Sequence, residues 1–465
     1  MKSTRFSAAL KTTLLLMISH ASWANPAKPG GDTTTSKTGA NAFSMPASNL
    51  DMMKRMDFSV GNSFFRNPWV IAPATTDARD GLGPLFNTNA CQGCHIKDGR
   101  GKPKELGDPN AVSMLVRLSI PATTAEQQQA LIQQGVIAEP VYGGQLQDMS
   151  IPGVEPEGQI NISYEDVNVT FADGAVVTLR KPTLAITDLK YGDMHPDVMM
   201  SARVAPVMIG LGLLESISEA SLLANADPDD SNGDGISGRP NRVWHAAEQK
   251  STIGRFGWKA GQPTLMQQNA GAFAGDMGLT SKVNLQDDCS DKQTACKQAP
   301  HGGKLEVSDK ILNFVEFYSQ HLAVPARRNI NDKLVLQGEK LFQQANCQSC
   351  HVASFKTAKR DTLPALSEQL IFPYSDLLLH DMGPGLADNR PEFLATGSEW
   401  RTPPLWGLGY QQEVNGHTFL LHDGRARNIM EAVLWHGGEA EASKQVVLGF
   451  DQGQRDALVK FLESL

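Results

Sequence analysis

The run Cys91-Gln-Gly-Cys94-His95 returns as Cys347-Gln-Ser-Cys350-His351, and no other feature limits so sharply what this chain can become. Two thiols at this spacing can each add to a vinyl group of a haem, and the His that follows reaches the iron as proximal ligand. The chain has only six cysteines, so a chance recurrence among buried or bridged cysteines is a poor rival. Two covalently bound haem c groups are expected, one on Cys91, Cys94 and His95, the other on Cys347, Cys350 and His351.

At 465 residues the chain is long enough for two or three domains, and 41% hydrophobic with 20% charged residues is ordinary globular composition. A net charge of -8 argues against a nucleic-acid partner. Lys2, Arg5 and Lys11 precede the apolar run Leu14-Leu15-Leu16-Met17-Ile18, and Ser22-Trp23-Ala24 fits small-residue cleavage after Ala24. Residues 1–24 therefore read as an export signal, and the run is too short to cross a bilayer. Without a twin-arginine pair, export as an unfolded chain into an oxidising periplasm is expected, with no membrane span in the mature chain. That compartment suits a disulfide between Cys289 and Cys296, which sit in a polar loop with no adjacent His.

Residues 25–49 are rich in Pro, Gly, Ser and Thr and read as a flexible leader, with structure beginning near Leu50. Leu85-Phe86 and Leu341-Phe342 stand at equal distances before the two haem runs, as candidates for a short helix on each haem edge. Alternating apolar residues and Gly or Pro turns over about 140–180 predict a small β insertion. Helical periodicity marks Ala205 to Leu214, Lys310 to Tyr318 with Ser308 as cap, and Arg455 to Leu465. Val324-Pro325 punctuates the chain, and a domain boundary is placed near Asn329. The segment from Trp258 to Gln268 matches His422 to Ala432 in length and in the position of its apolar residue. The expected fold is mainly α: two tandem cytochrome c-like haem domains, 50–329 and 330–465, the first carrying the β insertion.

Asp230-Ser-Asn232-Gly-Asp234-Gly235 has the oxygen-ligand spacing of half a calcium loop, so Asp230, Asn232 and Asp234 are candidate Ca²⁺ ligands within 227–235. Asn241 stands where such a loop ends in a bidentate Glu, and a plain acidic turn is the alternative.

Gly-Leu-Gly-Pro-Leu-Phe before Cys91, Asp98-Gly-Arg-Gly after it, Gly254-Arg-Phe-Gly-Trp-Lys-Ala, Leu379-His-Asp-Met-Gly, Trp400-Arg-Thr-Pro-Pro-Leu-Trp and Leu421-His-Asp-Gly-Arg-Ala span most of the mature chain. Together they resemble the diheme c-type oxidoreductases of peroxidase type, relatives of bacterial cytochrome c peroxidase and MauG. The resemblance implies that Gln268 and Asp276 lie over the distal face of the N-terminal haem. Asp276 stands where the peroxidases use a Glu, two residues nearer the Gln. A helix cap or a surface charge is the plainer role for Asp276. The resemblance also places His436 where the peroxidases carry a Met and MauG a Tyr, as sixth ligand of the C-terminal haem. His436 shares a helical face with Ile429 and Val433, and His380, Met382 and His422 are rivals. For the N-terminal haem no sixth ligand is evident among Met114, Met194, His195 and Met208, so its iron can be open.

The expected function is a periplasmic oxidoreductase that passes electrons from the C-terminal haem to the N-terminal one, where a small oxidant such as hydrogen peroxide is reduced. Its donor would be a small cytochrome or a cupredoxin. A diheme electron carrier without catalysis, or MauG-like oxidation of a partner protein, are the alternatives. Trp244, Trp258 and Trp435 are either electron relays or packing.

Overall fold

A computed structural model describes residues 26–104 and 112–465. The export signal expected over residues 1–24 lies outside the described residues. About 31% of the chain is helical and 18% is strand, so the expected mainly α class is corrected to a mixed α/β one. The strands form six small sheets of two or three strands among the described residues. Val-, Ile- and Thr-rich segments between the haem runs pair locally instead of extending helices.

Six helices position the sites: α1 (Lys54–Arg66), α2 (Leu265–Met277), α3 (Asp309–Gln320), α4 (Lys333–Gln344), α5 (Ile429–Trp435) and α6 (Gln452–Ser464). They form two matching crossings, α1 on α3 and α4 on α6. A methyl group on Gly61 of α1 would stand 2.1 Å from the Phe314 carbonyl oxygen of α3, and one on Gly338 of α4 would stand 1.9 Å from that of Ala457 of α6. Only glycine allows backbones this close. Four residues past each glycine, Phe65 and Phe342 bring their rings to 6.2 Å from His95 and 6.3 Å from His351. The partner helices back them with Tyr318 at 5.2 Å and Phe461 at 5.3 Å. Each haem run is thus seated on a helix crossing through one phenylalanine.

This geometry corrects two expectations and supports others. Leu341-Phe342 lies in α4, but Leu85–Phe86 is extended and pairs with Met149–Ser150. Gly81, Gly83 and Pro84 break any helix there, and α1 takes that place in the first half. Ser308 caps α3 through the Ile311 amide, and Asp451 with Gln454 forms a capping box on α6. The Cys289–Cys296 disulfide is formed, with Cα atoms 5.8 Å apart. Between Ala205 and Leu214 the helix is confined to Leu211–Glu215, because Pro206 and the left-handed Gly210 (φ 69°) interrupt it.

Four strands matter: β1 (Met114–Ser119), β2 (Gln159–Thr170), β3 (Val176–Thr187) and β4 (Met199–Val204). β1 pairs with β4, and β2 with β3 as a hairpin of 12 residues per strand. The hairpin extends beyond the expected 140–180 because Pro182 is accommodated opposite Tyr164. It lies against the second half: Ala172 N–H donates to the Leu448 carbonyl (2.9 Å), Arg180 Nε to that of Arg425 (2.9 Å), and Arg455 pairs with Asp173 (2.8 Å). The hydrophobic core likewise crosses the boundary expected near Asn329. One cluster draws Val116, Ile160 and Leu179 together with Phe342, Trp400 and Phe461.

The stretch read as a flexible leader is packed instead. Thr35 N–H donates to the Val324 carbonyl (3.0 Å), Ala47 N–H to His321 (2.8 Å), and the Pro29 carbonyl accepts from Phe372 N–H (2.7 Å). Its few apolar residues suffice because they fit a surface that already exists: Phe43 is buried against Tyr410. No helix of the described residues is long and apolar enough to cross a membrane.

Replacing Gly338 with Ala forces α4 and α6 apart and should cost roughly 1–3 kcal/mol of stability, measured by denaturant unfolding. Gly271→Ala in α2, where a methyl group meets nothing within 4 Å, should cost none; equal losses would contradict the close-crossing account.

Candidate haem sites

Cys91–Cys94 is one helical turn, followed by His95. Gly93 belongs there, since a methyl group would stand 2.3 Å from Thr88 Oγ1. His95 Nδ1 lies 2.8 Å from the Pro206 carbonyl oxygen. A carbonyl only accepts, so Nδ1 carries the proton and the Nε2 lone pair is left for a metal. Burial pushes the His95 pKa down to about 4, which keeps the ring neutral as ligation requires. Cys91, Cys94 and His95 border a cavity of about 340 Å³, and neither thiol is in a disulfide.

The second run repeats the arrangement. His351 Nδ1 donates to the Tyr374 carbonyl (2.9 Å), and burial lowers its pKa to about 4. Cys347, Cys350 and His351 border a cavity of about 200 Å³ that His436 also enters. His436 is the residue just past α5 and not on its face; its Nδ1 donates to the Ala432 carbonyl (2.7 Å), and burial keeps it neutral by lowering its pKa. Two neutral imidazoles, each with Nε2 unspent, therefore face one cavity.

His380 also borders this cavity, yet both its nitrogens are engaged, Nε2 by Asp376 (2.8 Å) and Nδ1 by Glu439 (2.7 Å). Burial opposes its charge, but the two carboxylates hold the imidazole protonated, its pKa well above the usual value. A charged imidazole has no lone pair to give. His422 is stacked on Trp400, centroids 3.7 Å apart at 10°, and Met382 borders the cavity without a comparable fixed geometry.

The two halves can be aligned residue for residue around these sites. Phe256 bridges Gln262 as Leu420 bridges Ala426. Ala260 and Gly424 are both left-handed (φ 50° and 73°). Thr264 and Asn428 cap α2 and α5 through their side chains. Trp258 then answers to His422, as the sequence match suggested, and in the same register Ala272 answers to His436. Ala272 borders the N-terminal cavity and offers a methyl group where the other cavity receives an imidazole. Met114, Met194 and His195 border neither cavity. Met208, which does, sits two residues from Pro206, on the side of the cavity where His95 is anchored.

Gln268 and Asp276 both lie on α2 and both border the N-terminal cavity. Asp276 is no N-cap: it stands in the last turn, where the helix dipole disfavours a carboxylate. Its Oδ1 accepts from Gln145 Nε2 (3.0 Å). Burial raises its pKa, opposed by Arg117 and the Gln145 hydrogen bond. Gln145, which also donates to Asn87 Oδ1 (2.7 Å) and the Gly275 carbonyl (3.0 Å), escaped sequence reading because nothing local marks it.

Between the cavities stand Arg100, Trp258, Arg401, Pro403 and Pro404, which border both. Trp258 Nε1 donates to the Val204 carbonyl (2.8 Å), and the Arg100 guanidinium lies 4.8 Å from its ring. Trp244 and Trp435 border neither cavity. In the acidic loop the side-chain oxygens bind the loop's own amides: Asp230 accepts from Gly235 N–H (3.1 Å) and Asn232 from Asp234 N–H (2.8 Å). Among the described residues no group of three or more His, Cys, Asp or Glu is arranged to hold a metal ion.

Two cavities, each with a paired-thiol run and a neutral imidazole of fixed tautomer, fit two haems and define a di-haem protein. The chain belongs to the family described as di-haem oxidoreductase, putative peroxidase, whose profile matches residues 23–465. No curated protein matches it.

Replacing His436 with Ala should convert the C-terminal haem's ferric signal in low-temperature EPR from low-spin to high-spin, whereas His380→Ala should leave it low-spin. The reverse pattern would give the ligand role to His380.

Proposed function

We propose that this chain is an exported, periplasmic di-haem c peroxidase that takes electrons from a small redox protein at its C-terminal haem and spends them on hydrogen peroxide at its N-terminal haem. Ala272, standing where the other half has His436, is the observation that carries the assignment. The Cys91/Cys94 and Cys347/Cys350 thiols would form the covalent links, with His95 on one iron and His351 and His436 on the other. The haems supply the electron transfer and, at an open iron position, the redox chemistry that splits an oxygen–oxygen bond.

The remaining work falls to the chain. Two imidazoles at the C-terminal site close it to substrate and leave it to relay electrons. The net change, H₂O₂ + 2H⁺ + 2e⁻ → 2H₂O, needs a proton moved from one peroxide oxygen to the other. Asp276 takes that proton and returns it; its raised pKa brings it nearer to neutral pH, where a general base and acid is most effective. Gln268, three residues into the same helix, is placed to orient the peroxide by hydrogen bonding. Trp258 packs between the two cavities and Arg100 beside it, a short route for electrons.

Ala272→His should install a sixth ligand, turn the N-terminal haem low-spin and abolish peroxide reduction. Retained turnover with a low-spin haem would contradict the assignment. As pH falls through the Asp276 pKa its carboxylate becomes protonated and the base is lost, so turnover should fall on the acid side with an inflection above the ordinary carboxylate value. In Asp276→Asn that limb should vanish and turnover should drop about 10²–10⁴-fold, measured by steady-state peroxide reduction.

A further inference from the structure

The N-terminal cavity is bordered by buried charge that the proposed reaction leaves unused. Arg203, at the end of β4, and Arg390 both donate to Glu392 Oε2, at 2.8 and 3.1 Å. Lys259 Nζ, wholly buried, lies 3.1 Å from Asp388 Oδ1. Arg203 is 9% exposed and Arg390 2%. Three largely buried cations thus meet two carboxylates, and one positive charge is left over. Arg117, also on the cavity wall, faces Glu392 but shares its charge with Asp276 and Asp288.

The donors show the same surplus. Arg390 Nε and Arg203 Nη2 are buried without a hydrogen-bond partner. Asp388 Oδ2, likewise without one, is 3.7 Å from Arg203 Nη2, too far to satisfy it. Buried guanidinium groups left this way are costly unless a ligand completes them. The cluster also lies beside the helix that carries Gln268, Ala272 and Asp276. Glu392 Oε1 comes within 2.0 Å of where a Gly261 methyl group would stand, in the turn that leads into α2, and Arg203, Arg390 and Glu392 border the same cavity as Gln268, Ala272 and Asp276, with Lys259 and Asp388 behind them.

We propose that Arg203 and Arg390 form an anion site that draws a small free monoanion, a carboxylate or an oxyanion, into the N-terminal cavity. The site rests on the N-terminal haem having an open position, and it extends the substrate class from neutral peroxide to small anions. A carboxylate arm of the haem itself has the same chemistry, so the test has to separate the two sources.

Formate and cyanide titrations of the purified holoprotein, followed by the high-spin ferric absorption and EPR signals at constant ionic strength, make that separation. Formate should perturb the signal in the wild type, and Arg390→Gln should weaken formate about tenfold or more, the worth of one charge-assisted hydrogen bond. Arg390→Lys should restore most of that affinity. Cyanide, which enters as neutral hydrogen cyanide, should bind wild type and both variants alike, showing that the variants are folded and the iron is accessible. Equal formate affinity in wild type and Arg390→Gln would overturn the proposal. So would a wild type blind to formate whose resting spectrum and N-terminal haem potential shift in Arg390→Gln, because the guanidinium would then hold a haem carboxylate. If cyanide binds to none of them in either the ferric or the half-reduced state, the open-position assignment falls and the anion site falls with it.

Discussion

Three hydrogen bonds from imidazole Nδ1 to a main-chain carbonyl hold this structure to its purpose: His95 to Pro206, His351 to Tyr374 and His436 to Ala432. Each is worth about 1 kcal/mol in stability, but its larger effect is to fix the tautomer and aim Nε2 into a cavity. The fold is arranged to supply these carbonyls. Pro206 interrupts a helix that the apolar pattern would otherwise form. Tyr374 adopts a left-handed backbone (φ 51°), unfavourable for a bulky residue by roughly 1–2 kcal/mol. Ala432 offers a carbonyl from the last full turn of α5.

Around these anchors the two halves keep one plan and differ where function would require it. The Gly61 and Gly338 crossings, the Phe65 and Phe342 rings, and the bridged turns before α2 and α5 are shared. The divergence is concentrated on the facing helix. His436 follows directly on α5, whereas α2 has Ala272 at the matching position and carries Gln268 and Asp276 along the cavity wall. On the proposed reading, the end of one helix closes its site with a ligand, and the other helix leaves its site to side chains that can hold a proton. The β2–β3 hairpin and the packed segment 26–49 then fasten the halves together, so the spacing of the two cavities is set by the core itself.

Much of the site was legible because chemistry demanded fixed spacing. Haem attachment needs its two thiols and its His in one short run, and Gln268, Asp276 and His436 could be carried over from a resemblance; the structure brings each of them to a cavity. The helices α3 and α6 were readable from periodicity, α3 also from its Ser308 cap, and α4 from the place of Leu341-Phe342 before the second haem run. What stayed hidden depends on distant segments meeting. Gln145 reaches Asp276 only because β1 and the strand residue Gln145 pair in register, and Arg203 meets Glu392 from another part of the chain. The segment 26–49 misled because composition reports how little it can bury alone, not that Phe43 finds a pocket already made. Asp230, Asn232 and Asp234 have the spacing of a cation loop, and their side-chain oxygens accept from amides of the same loop.

The central claim is an asymmetry: one iron closed by two imidazoles, the other open opposite His95. Low-temperature EPR of the ferric and half-reduced holoprotein, before and after one equivalent of hydrogen peroxide, tests it most directly. The account predicts one low-spin signal that persists and one high-spin signal, present at rest or after half-reduction, that peroxide consumes. Two low-spin signals in both states, indifferent to peroxide, would contradict it and leave an electron carrier.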